Sequence, residues 1–136
     1  MLMNIDHIAI WTHNLEGLKE YYTRYFGATP NNKYTNKEKQ FESYFLSFSS
    51  GSRLELMQMP GIPPNMNDTM DRQHTGLIHI SFGVDSMGSV RDKAEELKRD
   101  GYPVLRGPRR TGDGYFEFET LDPDNNRIEV SSLFTG

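Results

Sequence analysis

His7-Ile8-Ala9-Ile10 stands near the start of the chain, and a close variant, His79-Ile80-Ser81-Phe82, occurs 72 residues later. Both runs are rich in β-branched or aromatic residues and open on a histidine, and they read as parts of strands over 3–11 and 76–84. Each run leads into a segment of helical character. Asn14 is placed to cap a helix over 15–26, where Leu15, Leu18, Tyr22 and Tyr25/Phe26 recur at helical spacing and Gly27 ends the run. Ser86 is placed to cap a second helix over 87–100, with Met87, Val90, Ala94 and Leu97 on one face and Gly101 as its stop.

Three strands are expected after each helix. The first set is 28–35, 41–49 and 52–59, with turn signals at Asn31-Asn32, Asn36 and Ser50-Gly51. The second set is 103–108, 115–121 and 126–132, its last two joined by Asp122-Pro123-Asp124-Asn125-Asn126. Leu18 falls on Val90 and Tyr25 on Leu97 at the offset of 72, and Leu54-Glu55-Leu56 falls on Ile128-Glu129-Val130 at 74. The order is therefore βαβββ twice over, an α+β fold. One domain over 1–136 would consist of a module at 3–59, a proline-bearing linker or functional loop at 60–75, and a second module at 76–133.

Composition narrows the function. Among 136 residues there are 15 Lys+Arg against 19 Asp+Glu, a net charge of −4, which argues against a nucleic-acid binder. The absence of cysteine excludes a disulfide scaffold, a thiolate metal site and a cysteine nucleophile. No apolar run approaches the roughly 20 residues of a membrane span. The N-terminal residues lack the basic-then-apolar pattern of a signal peptide, so a cytoplasmic protein is expected.

Strand alternation then assigns directions. His79 on the first strand of the second module, and Glu55 and Glu129 on the last strands, are each flanked by aliphatics that point the other way, and His7 is followed by Ile8 and Ile10 pointing away from it. The aliphatics would pack beneath each module's helix, and the four polar residues would line the opposite face. Two imidazoles and two carboxylates make an N₂O₂ set suited to one divalent ion: Zn²⁺ or Ni²⁺ first, with Co²⁺, Mn²⁺ and Fe²⁺ as alternatives. Any one of these residues alone reads more readily as a structural strand residue than as a ligand; the matched pairing favours ligands. His13 and His74 have no such counterparts and read as surface residues.

These elements, with Asp122 to Glu129, resemble the vicinal oxygen chelate superfamily, the glyoxalase, bleomycin-resistance and extradiol-dioxygenase group, over residues 3–133. The resemblance implies curved mixed sheets around a metal held by His7, Glu55, His79 and Glu129. A filled four-ligand set resembles glyoxalase I more than the dioxygenase branch, which lacks the first-module carboxylate. It implies a lactoylglutathione lyase-type isomerase or lyase, moving a proton next to a carbonyl through a metal-stabilised enediolate. Glu129 would be the principal base, Glu55 the second carboxylate, and the histidines fixed ligands. The substrate would be a small carbonyl compound or a thiol conjugate of one, and the assembly a homodimer. An extradiol dioxygenase-like enzyme and a non-catalytic small-molecule-binding or resistance protein are the alternatives.

Two departures bear on the substrate. Trp11 stands where glutathione-using members carry Arg, and Met59 where they carry Asn. With Met57 they would make one pocket wall apolar, although ordinary packing explains them equally well. Arg109, in the stretch Gly107 to Gly114, reads either as a loop residue that meets an anionic substrate or as part of a solvated turn. Arg53 and Arg127, two residues before each Glu, would pair with a carboxylate or reach toward substrate.

Overall fold

The computed structural model describes residues 1–133, and the chain divides into two compact units, Met1–Asn65 and Met66–Gly136. In the first unit, β1 (His7–Trp11) leads into α1 (Leu15–Phe26). Then come β2 (Thr29–Pro30), β3 (Tyr34–Asn36), β4 (Phe41–Ser47) and β5 (Arg53–Gln58). The sheet order is β1-β5-β4-β2, with β3 also paired to β4. β1 and β5 run parallel, and the remaining pairs are antiparallel.

The second unit repeats the plan with β6 (His79–Gly83), α2 (Met87–Arg99), β7 (Val104–Arg110), β8 (Tyr115–Leu121) and β9 (Arg127–Leu133). Its order is β6-β9-β8-β7, again with the first and last strands parallel. The two βαβββ-like modules and their mixed sheets are those expected from the sequence.

Helix boundaries follow the caps. The Asn14 side chain accepts from Gly17 N at 3.0 Å, and Leu15 N finds the Gln58 amide oxygen at 2.7 Å. Gly27 closes α1 in the left-handed conformation at φ +67°. Ser86 Oγ accepts from Ser89 N at 3.0 Å to start α2. Each helix buries its apolar stripe on its own sheet: Leu15, Leu18 and Tyr22 beside Leu46, Leu54 and Leu56 in the first unit, and Val90, Ala94 and Leu97 beside Phe118, Ile128 and Val130 in the second.

The structure departs from the sequence reading at several points. The strands expected from residues 3 and 76 begin only at His7 and His79. The strand expected over 28–35 is two short ones, because Asn31 replaces ladder pairing there. Its amide donates to Phe45 O at 2.9 Å, and its side-chain oxygen accepts from Phe45 N at 2.8 Å. Ile8 stays 37% exposed and Ile10 only half-buried, since β1 is an edge strand and the helix covers the inner strands more fully. Finally, β7 runs on to Arg110, so Arg109 lies on a strand, opposite Glu117, and not in a loop. Pairing continues past Gly107 through register shifts. Gly107 fits because its φ is +82° and a Cβ there would stand 2.5 Å from Glu117 O.

Candidate metal centre

In the first unit, ladder register sets the face. His7 stands beside Arg53, Ala9 beside Glu55 and Trp11 beside Met57, so all six project from one side while Leu54 and Leu56 enter the core. His7 Nε2 lies 3.5 Å from Glu55 Oε1. The other ring nitrogen, Nδ1, is 2.6 Å from Asp6 Oδ2, which also takes Arg53 Nη2 at 2.6 Å. The hydrogen bonds to His7 and then Arg53 hold the Asp6 carboxyl below the usual carboxylate range. A carboxylate on the far nitrogen fixes the ring and leaves Nε2 to face Glu55, the arrangement that metal-binding histidines use. The Phe45 ring packs edge-on against His7 at 5.1 Å and under the Arg53 guanidinium at 4.5 Å.

The second unit repeats the pair. His79 Nε2 lies 3.6 Å from Glu129 Oε2, and Ser81 Oγ donates to Glu129 Oε1 at 2.8 Å. β8 adds carboxylates that the sequence reading missed. Glu119 stands directly opposite Glu129 and Glu117 opposite Ser131. Ligand atoms of His79, Glu119 and Glu129 all lie within 4.8 Å of one another. Glu119 is buried and bound through Oε2 to Arg127 Nη1 at 2.9 Å. Arg127, itself buried, also donates to the carbonyls of Thr69 at 2.5 Å and Arg72 at 3.4 Å. A hydrogen bond with Glu129, burial and the Glu129 charge push the Glu117 carboxyl up to about 7, against the opposing charge of Arg109.

The β8–β9 turn fixes this alignment. Asp122 Oδ1 accepts from the amides of Asp124 and Asn126 at 2.9 Å, and Oδ2 accepts from Asn126 Nδ2 at 2.9 Å. Asn125 adopts φ +64°, a left-handed conformation that asparagine tolerates. The turn thus sets Glu119 against Glu129.

The donors fit a divalent ion. With bonds of about 2.0–2.2 Å, two ligands of one ion stand roughly 3–3.5 Å apart, close to both observed His–Glu separations. Of the expected site residues, the structure brings His7 together with Glu55, and His79 with Glu129. Trp11 and Met57 share the His7 face, whereas Met59 lies past the end of β5. There it lines a cavity of about 300 Å³ with His13, Gln58 and Gly61. His13 Nε2 meets Ile62 O at 2.6 Å, and both His13 and His74 are solvent-accessible side chains, as expected. Arg53 and Arg127 both pair with carboxylates. Among the described residues no helix is long and apolar enough to cross a membrane.

Fold and donor sets together define an α+β protein of two βαβββ-like modules with a His/Glu/Glu group able to hold a metal ion. The sequence model of the Glyoxalase/Bleomycin resistance protein/Dioxygenase superfamily matches residues 4–130, and the chain belongs to that superfamily. A search of curated proteins gives no significant match. Among solved structures, the trypanothione-dependent glyoxalase I of Leishmania major superposes with a TM-score of 0.74 at 21% identity, over 98% of this chain and 87% of that one. A glyoxalase family protein from Bacillus cereus gives 0.81 at 13%, over 98% and 96%. The fosfomycin resistance protein of Listeria monocytogenes gives 0.69 at 17%, over 97% and 93%. At these identities the structures share the fold.

Proposed function

We propose that the protein is a glyoxalase I-like, metal-dependent lyase or isomerase that moves a proton between carbons beside a carbonyl. The observation that carries this reading is the repeated pair: in each unit an imidazole Nε2 stands about 3.5 Å from a glutamate oxygen on an open sheet face. On this reading His7, Glu55, His79 and Glu129 supply the ligands of one divalent ion, Zn²⁺ or Ni²⁺ being preferred by the N/O donors. The site would be completed within one chain or across a homodimer. When bound, the ion would polarise the substrate oxygens and offset negative charge that develops there.

The chain's own groups do the rest. His7 is held by Asp6, and His79 presents Nε2 to Glu129, so both imidazoles serve as fixed donors. Glu129 is the principal base and Glu55 the second carboxylate. Glu117, on the neighbouring strand with its carboxyl pushed up to about 7 by the Glu129 carboxylate and burial, adds a further carboxyl group beside Glu129. Support comes from family membership and from Glu119 opposite Glu129, which adds a third donor to the second-unit pair.

The test joins metal analysis to proton exchange. One Zn²⁺ or Ni²⁺ per chain, lost in both His7→Ala and His79→Ala, is expected by calorimetry and mass spectrometry. Glu129→Gln should abolish solvent-deuterium incorporation next to the carbonyl of an α-oxoaldehyde thiol adduct, monitored by NMR. Full exchange in Glu129→Gln, or no metal uptake by the wild type, overturns the reading. Oxygen uptake with a catechol would select the dioxygenase alternative instead.

A further inference from the structure

The face that carries His7 and Glu55 continues along the same strands into a cluster of rings. Trp11 stands beside Met57, Met57 beside Ser43 and Ser43 beside Tyr34 in successive ladders, so these positions share that face. Phe41, two residues before Ser43 on β4, lies between the other two rings. Its centroid is 6.0 Å from Trp11 at 90° and 6.1 Å from Tyr34 at 60°. Edge-on and tilted contacts of this kind leave ring faces open. Trp11 is 40% exposed and Tyr34 56%, a concentration of exposed aromatic surface of the kind that marks a binding face. On β1 itself, only the methyl group of Ala9 stands between His7 and Trp11 on that face, with Glu55 beside it on β5. Along β1 the four steps from His7 to Trp11 cover about 13 Å, the scale of a molecule with two oxygens at one end and a ring at the other.

We propose that Trp11, Phe41, Tyr34 and Met57 form a subsite for an aryl group of the substrate. The substrate class is then an aryl-substituted carbonyl or 2-hydroxy acid whose oxygens lie toward His7 and Glu55. This rests on the metal reading above for the oxygen end and on the ring cluster alone for the aryl end. Aromatic faces select a planar ring over an alkyl group of similar head chemistry, an advantage of about tenfold in affinity.

Trp11 is the only tryptophan in the sequence, so its emission reports on this subsite directly. The full chain loaded with Zn²⁺ is titrated with 2-hydroxy-4-phenylbutanoate and with 2-hydroxybutanoate, which differ only in the phenyl group. A saturable change in Trp11 emission is expected, with the phenyl compound binding about tenfold tighter by calorimetry. Phe41→Ala and the exposed-site variant Tyr34→Ser should each bring the ratio toward one while 2-hydroxybutanoate binds as before, with far-UV circular dichroism confirming the fold. Equal affinities, a silent Trp11, or an emission change on simple dilution of the protein overturns the proposal; the last would place a second copy of the chain on the rings. Metal uptake with equal affinities sinks the aryl subsite alone, and a phenyl preference without metal uptake sinks the metal reading alone.

Discussion

Replacing Arg127 by Met tests whether the buried ion pair organises the second unit. Arg127 is 5% exposed and Glu119 8%, and they meet at 2.9 Å across the β8–β9 ladder. Removal strands Glu119 without its cation, opposite Glu129 and near Glu117, and frees the Thr69 and Arg72 carbonyls. Losing one partner of a buried pair costs about 3–5 kcal/mol. That is a large share of a typical stability of about 5–15 kcal/mol. Urea unfolding of metal-free protein at pH 7, monitored by far-UV circular dichroism, should show a midpoint lowered by about 2 M, taking a slope of about 2 kcal/mol/M. Glu119→Gln should be costly too, yet the double variant should cost less than the two single losses added, by about 2 kcal/mol of coupling. A loss below about 1 kcal/mol for Arg127→Met, or strictly additive losses, would refute the reasoning.

Three further outcomes are expected. Gly107→Ala forces a side chain into a φ of +82° and against Glu117 O, so the protein should lose about 2 kcal/mol or more in thermal or urea unfolding; an unchanged midpoint would mean that the β7 backbone adjusts freely. Asp6→Asn removes the carboxylate that orients His7, so metal affinity measured against a chromogenic chelator should fall about 10- to 100-fold with little change in unfolding. The third concerns Glu16. The Lys33 ammonium at 2.7 Å is the main cause that holds its carboxyl down to about 2, with the Tyr44 hydroxyl assisting. Because the folded value lies below the ordinary 4.5, the contribution is present above pH 4.5 and is lost as pH falls toward 2. Solvent screening of this half-exposed network limits it to about 1 kcal/mol, and Glu16→Gln should flatten that part of the stability–pH curve.

Much of the fold was legible because local chemistry and tertiary structure agree. Asn14 and Ser86 mark helix starts through one hydrogen bond each, and the alternation of His7, Glu55, His79 and Glu129 with aliphatics is a period-two signal that the sheets obey. Glu117 and Glu119 carry the same signal, alternating with Phe116 and Phe118, but only the β8–β9 register reveals that Glu119 faces Glu129. That register depends on the Asp122 turn, whose hydrogen bonds are spatial facts rather than spacings. Phe41 and Tyr34 were equally silent: their meeting with Trp11 requires β3 on β4 and β1 on β5, pairings among strands distant in sequence. The reach of β7 to Arg110 was hidden by Gly107 and Pro108, which read as loop residues but lie within an irregular ladder.

The interruption at Asn31 has a consequence for self-association. One side of the first-unit sheet ends in strands of two and three residues, and the two-residue strand closes on Pro30, which has no amide hydrogen to offer. Asn31 meanwhile occupies both the amide and the carbonyl of Phe45, groups that a longer continuous strand would otherwise have met in an unbroken row. A foreign strand arriving on this flank would find only short fragments of template. Fibril growth by edge addition is therefore discouraged there by geometry, without a charged guard residue on every exposed position.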